Sequence, residues 1–235
     1  MKKNYTHIFF DLDHTLWDFD RNSTETLFEL YEKYQLENLS PNFSCNEFVA
    51  TFRDVNFSLW DSYDKNLINK DQIRNDRFKR IFEVLGIAIT DSSLTLNLGS
   101  DYLQACPQKP HLLDNSQEIL SYLYDKYKLH IITNGFDDVQ HTKLKSSNIF
   151  HFFDVIVTSE STGYKKPHHK IFEYALSAAS ASVEMAIMVG DNLETDIKGA
   201  IGAKLDCIFY NPEKKGHTLE VQHEISHLSE LKDLL

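Results

Sequence analysis

Two aspartates, Asp11 and Asp13, stand two positions apart directly after the apolar run Ile8-Phe9-Phe10. In an extended segment alternate side chains share a face, so this spacing aims both carboxylates at one place. Like charges so close call for a cation between them or for a raised pKa. A magnesium ion meets the first need, because it takes oxygen ligands and keeps room in its shell for water and phosphate. A second acidic pair, Asp191 and Asp196, follows the apolar run Ala186-Ile187-Met188-Val189-Gly190. If the two runs are neighbouring strands, Asp11 and Asp191 meet around one ion. Either pair alone also suits a solvated turn or an acidic first helical turn. Two such sites, each at a strand end, favour the shared metal.

Two further segments supply what an anionic ligand needs. Ile131-Ile132-Thr133-Asn134-Gly135 ends an apolar run in a hydroxyl, an amide and a flexible glycine backbone, so Thr133 and Asn134 are candidate phosphate-binding residues. The same residue types also make ordinary turns. Gly163-Tyr164-Lys165-Lys166-Pro167 offers the missing cation, with Lys166 placed to neutralise a phosphate and the acids around it.

These residues need a scaffold that presents strand ends. Five short apolar runs read as strands: His7 to Asp11, Leu129 to Thr133, Asp154 to Thr158, Ala186 to Gly190 and Asp206 to Tyr210. Near-continuous apolar character fits strands buried on both faces of a parallel sheet. Helical patterns lie between them, such as Ile119, Leu120, Leu123 and Tyr127 behind an N-cap at Asp114 with Gln117 three residues on. Strand and helix in alternation predict a doubly wound, Rossmann-like α/β core with a parallel sheet, whose ligands sit at the carboxyl ends of the strands.

From about Trp17 to Pro110 the alternation stops and four helical patterns follow one another. Leu27, Leu30, Tyr31 and Tyr34 share one face, and Phe48, Phe52, Val55 and Leu59 a second. Phe78, Ile81, Phe82 and Leu85 make a third, and Leu94, Leu98 and Tyr102 a fourth. Capping boxes are expected at Asn22 with Glu25 and at Ser44 with Glu47, and Gly86 suits the end of the third helix. The expectation is a helical bundle over residues 17–110, inserted into a core made of residues 1–16 and 111–235, with Trp17 and Trp60 in the bundle core.

Composition sets limits on partners. In the 235 residues, 24 Lys and Arg face 35 Asp and Glu, a net charge of -11 that argues against a nucleic-acid polymer or a membrane surface as partner. The run before Asp11 is too short for a signal peptide or a membrane span, which implies a cytoplasmic location. Cys45, Cys106 and Cys207 lie far apart and read as free thiols in a reducing compartment.

The four segments, in this order and each behind a predicted strand, resemble the haloacid dehalogenase superfamily of aspartate-nucleophile hydrolases. Asp11 to Thr15 match its first motif, Thr133 its second, Lys166 before Pro167 its third, and Gly190-Asp191 with Asp196 its fourth. The insertion after the first motif is similar to the helical cap of one subgroup. The resemblance implies that Asp11 attacks phosphorus, and that Asp13 is acid to the leaving oxygen and then base to water. It implies that Thr133 and Lys166 hold phosphoryl oxygens. It also implies that Asp11, the Asp13 backbone carbonyl, Asp191 and Asp196 bind Mg2+, Asp196 directly or through water. An acid at Asp13 separates the chain from the dehalogenases, whose halide leaving group needs no proton.

A finer resemblance is to nucleotidases acting on pyrimidine nucleoside monophosphates, carried by Asp11 to Phe19, Asn134-Gly135-Phe136 with Val139-Gln140, and Asn211-Pro212. The substrate expected is a small phosphate monoester, a pyrimidine nucleotide first, with Phe19, Trp60 and Phe136 as candidates to stack on a base. The alternatives are a sugar-phosphate or phosphoglycolate phosphatase, a phosphomutase, and a non-catalytic binding protein. His14, where a smaller residue is commoner, and His168-His169 after Pro167 depart from the pattern.

Overall fold

The computed structural model describes residues 4–41 and 43–235. The chain divides into two compact units, Met1–Phe19 with Pro110–Leu235, and Asp20–Lys109. Among the described residues no helix is long and apolar enough to cross a membrane.

The first unit is built on six parallel strands: β1 (His7–Phe10), β2 (Lys128–Thr133), β3 (Phe153–Thr158), β4 (Ala186–Gly190), β5 (Asp206–Tyr210) and β6 (His223–Ile225). Their order is β3-β2-β1-β4-β5-β6, with every neighbouring pair parallel. Ile8, Phe9, Phe10, Ile131, Ile132, Met188 and Val189 are fully buried, as expected for strands covered by helices on both faces. One face packs Phe9, Ile132 and Met188 against Ile171, Phe172 and Ala175 of the helix His169–Ala178. The sheet order reverses between β1 and β4, and that switch point is where such sheets hold ligands.

Two expectations for this unit change. β6 has no apolar run to announce it; it forms because Ile208 to Tyr210 of β5 offer an open edge to His223 to Ile225. The helix expected behind Asp114 begins at Ser116 instead, with Asn115 in the left-handed conformation (φ 66°) and no side-chain cap. Its start is fixed by a tertiary bond, Ser116 Oγ donating to the Leu16 carbonyl at 3.0 Å. Tyr127 falls beyond this helix and donates its hydroxyl to the Leu235 carbonyl at 2.7 Å.

The second unit holds the helices α2 (Cys45–Asp64), α3 (Lys70–Val84) and α4 (Ser92–Ala105), together with most of α1 (Phe19–Lys33). Ser44 caps α2 by accepting from the Glu47 amide at 3.2 Å, and Gly86 follows α3 at φ 67°, a conformation that favours glycine. Asn22 is no cap: α1 starts at Phe19 and buries Asn22 inside it. The start moves because Phe19 N donates to Trp17 O and Asp18 N to His111 O, so the chain is already turning as it leaves the core loop. Phe43, Phe48, Phe52, Phe78, Phe82 and Tyr102 pack ring against ring in this unit's interior. Trp17 is not among them. It is fully buried in the first unit, bridged to Asp13 and Leu112, and Trp60 is only half-buried, edge-on to Tyr63.

Phe78→Ala opens a cavity in that aromatic interior and is expected to cost about 3–5 kcal/mol, whereas Phe57→Ala, on an exposed face, should cost less than about 0.5 kcal/mol. Urea denaturation followed by circular dichroism distinguishes the two.

Candidate active site

Asp11 is the first residue past β1, and its amide donates to the Val189 carbonyl of β4 at 2.9 Å, which seats it at the switch point. The register pairs Phe10 with Val189 on one side and Ile131 on the other, so the ends of β4 and β2 arrive at the level of Asp11. Lys166 completes the cluster. Its side chain is 2% exposed, and its ammonium donates to Asp11 Oδ1 at 2.5 Å, to the Ile132 carbonyl at 2.8 Å and to Asp196 Oδ1 at 2.7 Å. An ammonium has three hydrogens, and these three acceptors match them. Asn134 fixes where Lys166 emerges: its Oδ1 accepts from the Lys166 amide at 2.7 Å, and its Nδ2 donates to the Lys166 carbonyl at 3.0 Å.

Asp191 and Asp196 are brought to the same place by a tight turn. Asn192 caps it with Oδ1, accepting from the amides of Glu194 and Thr195, and Leu193–Ile197 forms one π-helical turn. Wider turns of this kind are frequent at functional sites. The turn swings Asp196 back onto the strand end, where Oδ2 accepts from the Asn192 amide at 3.1 Å. The carboxylate lies so close over Gly190 that a methyl group there would overlap it, so this position has to be glycine. Asp191 Oδ1 accepts from Thr15 Oγ at 2.9 Å.

Asp11, Asp191 and Asp196 each present an oxygen within 4.8 Å of the others, the group among the described residues able to hold a metal ion. Burial, and then the neighbouring carboxylates, push the Asp11 pKa well above the ordinary range even against Lys166, and lift Asp191 to about 7. For Lys166, burial works against the charge, but Asp11 and Asp196 outweigh it and hold the ammonium above its usual value. Three acids against one ammonium leave an excess of negative charge on hard oxygen donors, which is the demand of a small divalent cation such as Mg2+. The side chain of Asp13 lies outside this group.

Asp13 faces a second cation. Lys143 donates to its Oδ1 at 2.6 Å and Gln140 Nε2 to its Oδ2 at 3.0 Å. Burial alone would raise the Asp13 pKa; Lys143 and Gln140 prevail and hold it below the ordinary carboxylate range. Gln140 Nε2 also donates to Thr133 Oγ at 2.7 Å, as does the Gly135 amide at 3.1 Å. With both acceptor positions of Thr133 Oγ occupied, its own hydrogen is left to point elsewhere.

The sequence places Asp11, Asp191, Asp196 and Lys166 together, and the structure does the same. Thr133 joins Asp13 through Gln140. Asn134 holds the backbone of Lys166 with its side chain, and Lys166 directs its hydrogens at acids and a carbonyl. Thr15 and Gln140 stand within the quoted motifs, but neither they nor Lys143 is read there as part of the site. A signal for two of them exists: the helix Asp137–Ser146 turns Gln140, Lys143 and Leu144 inward, so its buried face is mostly polar. Of the candidate stacking rings, Phe136 is buried, while Phe19 packs on His14 with centroids 5.0 Å apart. His168 caps the helix His169–Ala178, its Nδ1 accepting from the Lys170 amide.

Two outcomes follow. Between pH 4 and 7 the folded state keeps a proton on Asp191 that the unfolded chain has lost, so without a divalent cation this group makes stability fall as pH rises through that window. Mg2+ needs the ionised form, so its stabilisation, read as a rise in Tm, should be larger at pH 8 than at pH 6. Lys166→Met leaves buried carboxylates without their cation and should cost about 3–5 kcal/mol in Mg2+-free urea denaturation.

The sequence profile of the haloacid dehalogenase-like hydrolases matches residues 8–210. The HAD-hydrolase YfnB of Bacillus subtilis (strain 168) is 30% identical over 99% of this chain and 96% of its own. Its crystal structure, bound to magnesium and described as revealing interdomain movement, matches with a TM-score of 0.86 over 99% of both chains. Pyrimidine 5'-nucleotidase YjjG of Escherichia coli (strain K12) is 31% identical over 97% of this chain and 96% of its own. A glyceraldehyde 3-phosphate phosphatase of Pyrococcus abyssi (strain GE5 / Orsay) is 29% identical over 97% and 91%. The matched span takes in every strand end that carries an acid of the site, and the chain belongs to the haloacid dehalogenase-like hydrolases, a family of enzymes.

Proposed function

We propose that the protein is a Mg2+-dependent phosphatase of small phosphate monoesters, and that Asp11 is its nucleophile. The observation that carries this reading is the state of Asp11. Its Oδ1 is pinned by Lys166, while its Oδ2 has no hydrogen-bond partner among the described residues, which leaves that oxygen available to bond elsewhere.

In the first step an Asp11 oxygen bonds to phosphorus, the ester P–O bond breaks with its electron pair on the leaving oxygen, and Asp13 gives that oxygen a proton. In the second, water attacks phosphorus and loses a proton to Asp13. The Asp11 P–O bond then breaks, its electrons returning to the carboxylate as phosphate departs. Asp13 begins this second step already in the form a base needs. An arriving phosphate dianion beside it favours the protonated form needed for the first. Thr133 donates its free hydrogen to a phosphoryl oxygen. Lys166 holds Asp11 in line and balances the acids, with Asn134 fixing its backbone. Asp11, Asp191, Asp196 and the Asp13 carbonyl would hold the cation, which when bound supplies countercharge to the phosphoryl oxygens. The helical insertion, expected over residues 17–110 and folded as Asp20–Lys109, serves as the cap domain, and Met1–Phe19 with Pro110–Leu235 as the catalytic core.

Within this class we assign a pyrimidine nucleoside 5'-monophosphate as substrate, supported by the full-length likeness to YjjG and by the motif residues around Asn134 and Gln140. The likeness to a glyceraldehyde 3-phosphate phosphatase supports a triose phosphate as second reading.

Phosphate release from UMP, dUMP, TMP, AMP, glyceraldehyde 3-phosphate and phosphoglycolate with Mg2+ tests both. Pyrimidine nucleotides are expected to have the highest kcat/KM, and a preference for the triose phosphate would reverse the assignment. Asp11→Asn should reduce turnover by at least about 1,000-fold, since the covalent route is closed. Retained activity would remove Asp11 from the chemistry.

A further inference from the structure

Asp13 is held by two residues to which no motif reading gives a role. Both lie on the inward face of the helix Asp137–Ser146, one turn apart. Lys143 takes Oδ1 and Gln140 takes Oδ2, so both carboxylate oxygens are engaged and the side chain has one orientation. The ammonium of Lys143 sits 4.5 Å from the centre of the Trp17 ring and 5.8 Å from that of Phe19, which favours its charge and keeps it over Asp13. Trp17 is in turn tied to Asp13 by a backbone bridge, so the loop after β1 carries both the acid and the floor beneath its cation.

Gln140 does something a merely structural amide would not. Its Nε2 joins Asp13 Oδ2 to Thr133 Oγ, while its Oε1 is buried with no hydrogen-bond partner among the described residues. Turning the amide over would put Oε1 against a carboxylate, so the nitrogen stays where it is. The backbone makes room for this: a methyl at Gly135 would overlap the Gln140 amide, and only glycine lets it lie there. A buried acceptor left without a donor lowers stability, and such local costs collect where geometry serves a reaction.

We infer that Gln140 and Lys143 are positioning residues for the proton-transfer half of the reaction, Gln140 linking the phosphate-binding hydroxyl of Thr133 to Asp13 and Lys143 locking the Asp13 carboxylate in place. The inference rests on the proposed two-step reaction. Attack by Asp11 on an ester with a good leaving group needs no proton from Asp13, because the bond electrons leave on a stable phenolate. Hydrolysis of the phosphorylated Asp11 does need Asp13, which must take the proton of the attacking water. Loss of Gln140 or Lys143 therefore slows the second step and spares the first.

The test uses the full-length protein with Mg2+ and p-nitrophenyl phosphate, comparing Lys143→Met, Gln140→Met and Lys143→Arg with the parent by rapid mixing and by acid quench with labelled phosphate. In both Met variants a burst of nitrophenolate close to one per site is expected, with label accumulating on the protein. Their steady-state rate should fall at least about tenfold, in keeping with the usual worth of a positioned acid or base. Lys143→Arg should recover most of that rate. The burst also counts correctly folded sites. Burst and turnover falling together would assign these residues to the fold alone, and unchanged turnover would release Asp13 from them; either overturns the inference. A burst from Asp11→Asn would instead overturn the nucleophile on which it rests.

Discussion

One ammonium ties together the ends of three strands. Lys166 reaches Asp11 past β1, the Ile132 carbonyl in β2 and Asp196 in the turn after β4. A lysine this deeply buried is tolerable only with its hydrogens satisfied and its charge met, and the buried acids are tolerable only beside it. The charge is thus a structural constraint before it is a chemical one. Its position follows from Asn134, whose two-point hold on the Lys166 backbone couples the loop after β2 to the loop after β3.

The site separates into two electrostatic zones. Around Lys166 three carboxylates outnumber the cation, and burial, reinforced by the neighbouring acids, raises the affinity of Asp11 and Asp191 for protons. Around Asp13 a single lysine and an amide balance a single acid, and the affinity falls. One strand end therefore carries two aspartates with opposite shifts, two residues apart. Environments that push like groups apart in this way let them take different roles.

Two glycines permit this packing for one physical reason. At Gly190 the Asp196 carboxylate, and at Gly135 the Gln140 amide, occupy the volume a β-carbon would fill. Gly190 ends β4 and Gly135 lies just past β2, where the backbone must be approached closely if polar groups from the following turn or helix are to reach the strand end. The π-helical turn at Leu193–Ile197 serves the same purpose, bringing Asp196 back toward the strand it has just left.

The order of apolar runs, the acids behind them and the lysine before Pro167 are local features, so the parallel core, five of its strands and the cluster of Asp11, Asp191, Asp196 and Lys166 were legible from residue types and spacing. The helix starts at Phe19 and Ser116 were not, because tertiary hydrogen bonds from Asp18 to His111 and from Ser116 to Leu16 override the local capping signals at Asn22 and Asp114. β6 was hidden because three residues pairing with an open edge need no hydrophobic pattern. Trp17 looked like bundle core by its neighbours in sequence and became the floor under Lys143. Lys143 had no reading from the sequence, and only the folded chain sets its helix against the loop after β1, where it meets Asp13. Which acid met which cation was decided only by the folded chain, since burial and a few ångströms of separation, not residue type, determine the strength of a charge pair.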